Sequence, residues 1–372
     1  MKKPKGQAKT TRVSPTRREF LRRTRNTVAT SLLGASTLLD GCQRAREPCG
    51  QDSRAARIHR ESIVIAIHDH NPIAPDVGRM LAGGVTGKVF QIGVDVIPGP
   101  DIGASASLRE GWYAKSLESV KAVHRAIAAD SGRLMLAVTA EDFVRAKREG
   151  KVAILIGVEG AKLLEGRIEE LQGFYQLGLR ELQLRWAVPN QVVETETLTP
   201  FGVKLVSECN RLGIIVCVTH IPNRAFYEVM ELTTKPPIVS HGAAAGSPQG
   251  IDLEDAKLRA LAERRGVLGI HFYSTYLGEN PVVSRVVDQV DYISDVAGID
   301  TVALGVDLFP TTGPWREFQL AQGTRDISWA ISDLGEMPRV TEELVGRGYS
   351  DEDIRKVLGG NFLRVCREVF GR

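Results

Sequence analysis

From residue 63 onward the chain alternates two patterns. Apolar runs of strand length, rich in Val and Ile, give way to longer stretches in which apolar residues recur at helical spacing. Eight runs read as strands: 63–67, 88–94, 152–158, 181–185, 213–219, 237–240, 266–271 and 301–306. Helical period occupies 114–129, 168–177, 200–211, 252–265 and 284–296. The strand runs are nearly continuous in apolar residues, which suits parallel strands covered on both faces. Eight β-then-α units over roughly 250 residues predict a (β/α)8 TIM barrel rather than a doubly wound sheet. No glycine-rich phosphate loop follows a strand, and no repeat of fixed period is present. Beyond the last strand, "VTEELVGRGYSDEDIRKVLGGNFLRVCREVF" predicts two or three amphipathic helices packed on the barrel. Ser350 and the acidic residues after it supply a helix start.

Composition changes the picture only at the N-terminus. The chain has 372 residues, 43% hydrophobic and 25% charged, as in ordinary soluble domains. Of its 48 basic and 45 acidic residues, 12 and 3 fall within the first 48 positions, leaving 36 and 42 in a mildly acidic body. That body has no basic-aromatic stripe, which argues against a nucleic-acid surface. The basic start resolves into "SPTRREFLRRT", an apolar run over 28–39, and Asp40-Gly41-Cys42. Residues 16–22 closely resemble a twin-arginine export signal, and the apolar run is too short to span a bilayer. Cys42 stands where a lipoprotein box would carry lipid, although Asp40 fits that box poorly. We therefore expect an export signal over 1–42, a polar tether over 43–57 and a barrel domain over 58–372, with a periplasmic or lipid-anchored destination. The five cysteines show no metal-knuckle or disulfide spacing, and Cys209 and Cys217 read as buried small hydrophobes.

Candidate chemistry lies at the strand ends, where barrels of this class carry their function. The first run stops at His68-Asp69-His70, the third at Glu159, the fifth at His220, the sixth at His241 and the eighth at Asp307. A lone histidine in such a place is most often a satisfied structural group. Four histidines with a glutamate and an aspartate, all directed to one rim, match the ligand set of zinc and related divalent ions. Such a set has room for two metals bridged by a carboxylate, with Asp307 as the base that takes a proton from the attacking water. His271 reads as a packed rim residue, Asp95 as a support for the site, and His59 and His124 as structural or solvated. Trp112, Tyr113, Trp186 and Trp315 read first as loop anchors or core, with lining of a substrate cleft as the alternative and Trp186 a candidate for the pocket.

Several motifs resemble the membrane dipeptidases, peptidase family M19, over residues 62–370. They are "GVEGAKLLEG", "FYQLGLRELQLRW", "LTPFGVKLVSECNRLGIIVCVTHIP", "PPIVSHGAA", "VAGIDTVALGVD" and "LGGNFLRVCREVF". The resemblance implies a zinc dipeptidase with Glu159 as bridging ligand, His220 and His241 as further ligands and Asp307 as acid/base. Three departures stand out. Pro72 occupies the place of an aspartate ligand, so His68 or Asp69 has to substitute beside His70. Trp186 replaces a histidine that contacts the substrate carbonyl. No arginine follows His241 to clamp a carboxylate, which leaves Arg185 and Arg224 as candidates for the pocket. The leading expectation is a dipeptidase with two zinc ions. The alternatives are a related hydrolase of another amide, a lactone or an N-acyl substrate, and a non-catalytic binding protein on the same barrel. Expected partners are a small-molecule substrate (a dipeptide or related amide) and the twin-arginine export machinery. A homodimer is compatible with this reading, and no nucleic acid is expected.

Overall fold

A computed structural model describes residues 53–244, 253–324 and 327–371. Nine parallel strands form one sheet: β1 Ile65–Asp69, β2 Gly87–Val94, β3 Leu134–Ala137, β4 Val152–Glu159, β5 Leu179–Gln183, β6 Ile215–Cys217, β7 Ile238–Gly242, β8 Val267–Ile270 and β9 Val302–Leu304. Eight of them follow the order β1-β2-β4-β5-β6-β7-β8-β9, while β3 pairs only with β4. Closure occurs just past the strand ends, where the Asp307 amide donates to the His68 carbonyl (2.9 Å) and the His70 amide donates to the Leu308 carbonyl (2.8 Å). The result is a nearly closed (β/α)8 TIM barrel with C-terminal helices, as the alternating pattern predicts.

The short strand β3 is absent from the sequence reading. Its four residues, Leu-Met-Leu-Ala, include no β-branched or aromatic side chain and are all good helix formers. Its pairing is set by tertiary context: β3 lies along the first half of β4, from Val152 to Leu155, and β5 takes over the same edge at Ile156. The expected tether over 43–57 overlaps ordered structure at its end, because Ser53 caps a helix Arg54–Glu61. The signal region, including Cys42, lies outside the described residues. Among the described residues, no helix is long and apolar enough to cross a membrane.

Helix boundaries follow local chemistry. Helix Pro200–Leu212 begins with Pro200 in its first turn and the Thr199 hydroxyl accepting from the Gly202 amide, and it ends at Gly213 with φ +79°. Ser350 caps helix Asp351–Arg355 by accepting from the Asp353 amide. One apolar cluster joins Ile65, Ile67, Val89, Leu155, Ile215, Ile238, Val267 and Ala303 from seven barrel strands. It continues into Phe143 of helix Ala140–Glu149 and into Phe362, Val365 and Val369 of helix Asn361–Phe370. The C-terminal helix is therefore part of the core.

Strand β5 contributes nothing to that cluster, and Glu181 and Gln183 are fully buried on it. The Gln91 amide donates to Glu181 Oε2 at 3.2 Å. Burial pushes the Glu181 carboxyl up to about 8, against the Gln91 hydrogen bond. The unfolded chain ionises this group above roughly pH 4.5, whereas the folded chain keeps its proton to about 8. Stability is therefore lost as pH rises between those values, by up to about 5 kcal/mol. Glu181→Gln removes this dependence. Urea unfolding at pH 5 and pH 8 should show a smaller fall for the variant than for the parent, and parallel falls would contradict the protonated state.

Candidate metal centre

The strand ends converge. His68 lies within β1 and His70 just beyond it, Glu159 ends β4, His241 lies within β7, and His220 and Asp307 each sit three residues past β6 and β9. Five non-glycine residues among those described have positive φ, and His220 (+63°) and Asp307 (+52°) are two of them. Backbone in that region costs on the order of 1 kcal/mol or more, and such strain concentrates at functional sites. Gly160, immediately after Glu159, has φ +120°, and a Cβ there would come within 2.2 Å of the Asp95 carboxyl carbon. The chain can turn away from Glu159 only because this position is glycine.

Four imidazole nitrogens meet in two pairs. His68 Nε2 and His70 Nε2 are 3.2 Å apart, and His220 Nε2 and His241 Nε2 are 3.0 Å apart. The buried Glu159 carboxylate lies between the pairs. Its Oε1 is 3.3 Å from His220 and 3.6 Å from His241, while Oε2 is 3.1 Å from His70 and 3.8 Å from His68. Asp307 Oδ1 stands 3.6 Å from both His68 and His70, and Oδ2 is 2.9 Å from His271 Nε2. Behind His241, the Ser240 hydroxyl is 3.1 Å from Nδ1 and the Thr219 hydroxyl is 3.2 Å from that of Ser240.

The electrostatics favour ligation. Burial pushes His68 down to about 4 and His241 well below the ordinary histidine range, so both are neutral and keep a lone pair free. Burial also opposes charge on His70, but the Glu159 and Asp307 carboxylates outweigh it and raise its pKa. Both carboxylates are held well below their usual range despite burial. For Glu159 the cause is its contacts with His220 and His70, and for Asp307 the proximity of His271, which is within hydrogen-bond distance, and of His241. Two corners of a tetrahedral zinc–nitrogen shell are roughly 3.3 Å apart at bond lengths near 2.0–2.1 Å. Each histidine pair is already close to that spacing, with a carboxylate oxygen facing it, so the donor set fits divalent metal.

The residues expected at this centre, His68, His70, Glu159, His220, His241 and Asp307, are all brought together. Asp69, the other substitute for the ligand missing at Pro72, is not among them. Its Oδ1 lies 2.5 Å from Lys88 Nζ in a fully buried pair, and burial pushes its carboxyl up to about 6 against that attraction. Trp186 is half-buried, its ring 6.2 Å from that of His220 and packed on Phe318. Arg185 donates to the carbonyls of Trp186 and Thr195, and Arg224 is exposed. Asp95 is a buried support that takes hydrogen bonds from the Lys162 amide, the Asn190 side chain and the Trp186 amide. His59 is buried between Thr341 and the Gly83 carbonyl, so it is structural.

His271 is the group the sequence reading undervalued. It follows β8 directly, it is 1% exposed, and His241, His271 and Asp307 form one of the three candidate metal-holding groups among the described residues. The signal was present: a fourth strand ends in histidine. Beside His70 opens a cavity of about 230 Å³, bounded by Val96, Trp112, Lys115, Ser116 and Trp315. Trp112 and Trp315 thus line a cleft at the candidate metal centre, the alternative expected for them beside a role as anchors or core.

Comparison with known proteins identifies the family. The family model described as membrane dipeptidase (peptidase family M19) matches residues 28–370. Dipeptidase tcpJ of Claviceps purpurea (strain 20.1) is 28% identical over 303 residues, 78% of this chain and 68% of that protein. Dipeptidase 3 of Homo sapiens is 32% identical over 269 residues, 68% of this chain and 52% of that protein. An amidohydrolase from Pseudomonas aeruginosa superposes with TM-score 0.77 at 24% identity, covering 86% of this chain and 99% of that one. A metallo peptidase from Rhodobacter sphaeroides, solved with a phosphinate mimic of the dipeptide L-Ala-D-Ala, gives 0.68 at 22% identity, covering 83% and 100%. The chain belongs to the membrane dipeptidase family, peptidase family M19, a family of metal-dependent hydrolases.

Proposed function

We propose that this chain is a zinc-dependent dipeptidase that holds two ions, with His68 and His70 on one side of a bridging Glu159 and His220 and His241 on the other. One observation carries this reading: the two oxygens of a single buried carboxylate each face a separate pair of imidazole nitrogens. Bound zinc would supply an acidified water and polarise the scissile carbonyl. The side chains do the rest. Asp307 Oδ1, beside the His68–His70 pair, takes the proton of the attacking water and returns it to the leaving amine. Ser240 and Thr219 hold the His241 ring so that Nε2 faces the centre. The cavity beside His70 receives the substrate, and Lys115 is the one Lys, Arg, Asp or Glu among its lining residues.

A second reading, hydrolysis of another amide, a lactone or an N-acyl substrate, is favoured by the pocket's departures from the family. Trp186 can stack or donate one hydrogen bond but cannot carry charge to an oxyanion. Arg185 is engaged by backbone carbonyls. We further propose, from the sequence of residues 1–42, that the protein is exported folded by the twin-arginine pathway, which lets it take up metal before export. Replacing Arg17 and Arg18 by lysine should retain the protein in the cytoplasm, as fractionation would read, and unchanged export would contradict the signal.

Protein purified without chelator should carry close to two zinc per chain by elemental analysis. His220→Ala should lose at least one of them. Asp307→Asn should keep both and lower kcat by at least about a thousandfold. Equal metal loss in the two variants would contradict the assigned roles. A panel of L-Ala-D-Ala, N-acetyl amino acids and lactones separates the two readings: activity confined to substrates without a free carboxylate would overturn the dipeptidase.

A further inference from the structure

His271 has no part in the mechanism above, yet it touches the acid/base directly. Its Nε2 is 2.9 Å from Asp307 Oδ2. On the opposite side of the ring, the Tyr273 amide donates to Nδ1 at 3.0 Å. The imidazole is stacked on the Tyr276 ring, with centroids 4.1 Å apart and planes 22° apart. Its backbone amide donates to the Gly242 carbonyl at 2.8 Å, which fixes the main chain, and turning the ring away from Asp307 would break the Tyr273 contact and the Tyr276 stack.

These contacts fix the tautomer. A backbone N–H always carries its hydrogen, so the nitrogen that accepts from Tyr273 must present a lone pair. In a neutral ring the hydrogen then sits on Nε2 and is donated to Asp307. Metal ligation through Nε2 would require the opposite tautomer, with Nδ1–H pointing at the Tyr273 N–H, donor against donor. His271 is thereby kept out of the ligand set even though it stands in a cluster with His241 and Asp307 whose spacing would suit an ion.

The consequence for Asp307 is an asymmetry between its oxygens. Its backbone is pinned at both ends, with the amide donating to the His68 carbonyl and the Trp329 indole donating to its own carbonyl. Only the carboxylate rotation is left to set. With Oδ2 held by His271, Oδ1 is the oxygen turned to the His68–His70 pair. We propose that His271 is a positioning residue for Asp307: it donates through Nε2 to Oδ2, commits Oδ1 to proton transfer, and is excluded from metal binding by the Tyr273 amide. This rests on the reading of Asp307 as acid/base.

Two readouts test it separately. In zinc-loaded protein, His271→Leu removes the donor, whereas His271→Gln places an amide N–H near the position of Nε2. Both variants should keep the parent's zinc content. The leucine variant should lower kcat on L-Ala-D-Ala, or on the fastest member of the panel above, by roughly a hundredfold with KM within about threefold, and glutamine should recover at least tenfold of that loss. Loss of a zinc equivalent in His271→Leu, an unchanged kcat, or no recovery with glutamine would overturn the proposal. The second readout needs neither variant nor turnover. Nitrogen-15 chemical shifts of the His271 ring in the parent protein should report hydrogen on Nε2 and not on Nδ1, both without metal and after addition of zinc chloride. A shift of the hydrogen to Nδ1 on zinc addition would make His271 a ligand and end the proposal. If the parent hydrolyses nothing in the panel, the dipeptidase reading fails while the nitrogen shifts still decide the His271–Asp307 contact.

Discussion

A carboxylate almost sealed from water must be compensated by donors or cations, and Glu159 is placed under that constraint at the end of β4. It is 3% exposed, and four imidazole nitrogens lie within 3.8 Å of its oxygens. Two of those histidines, His68 and His241, are driven toward the neutral form by their own burial. His68 and His241 therefore keep lone pairs directed at a buried carboxylate, a donor set that suits a cation. A divalent cation would compensate the carboxylate and use those lone pairs, and the proposal of two ions rests on each carboxylate oxygen facing a separate histidine pair.

The same backbone that presents these groups also closes the barrel. Asp307 donates its amide to His68, and His70 donates to Leu308, so the first and last strands are joined through the residues that form the site. The positive φ of His220 and Asp307 belongs to this arrangement, since both side chains are turned inward by loops that have already left the sheet. Lys88 anchors the outer side of the first motif: its ammonium lies 2.5 Å from Asp69 and 3.3 Å from Asp76, which holds the residue between His68 and His70 away from the centre. Precise placement here depends on a polar layer with few alternatives.

Much of this was legible in the residues. Val/Ile runs mark seven of the nine strands because their burial on both faces leaves a continuous apolar signal, and the chemistry-bearing residues stand at the ends of those runs; β5 is a strand without Val or Ile. Strand β3 was not legible, since Leu, Met and Ala carry no preference for sheet and the pairing with β4 exists only in the fold. The exclusion of Asp69 was equally hidden, because alternation along a strand does not say which of three polar neighbours meets a lysine from the next strand. His271 shows a different limit. Its position at a strand end was visible, but its role depends on the Tyr273 amide and on which oxygen of Asp307 it meets.

Anomalous diffraction at the zinc edge, from crystals grown with zinc, addresses the central claim most directly. The account predicts two peaks about 3.5–4 Å apart, one on each side of the Glu159 carboxylate, the first beside His68 and His70 and the second beside His220 and His241. A single peak among His241, His271 and Asp307, or none near Glu159, would contradict it.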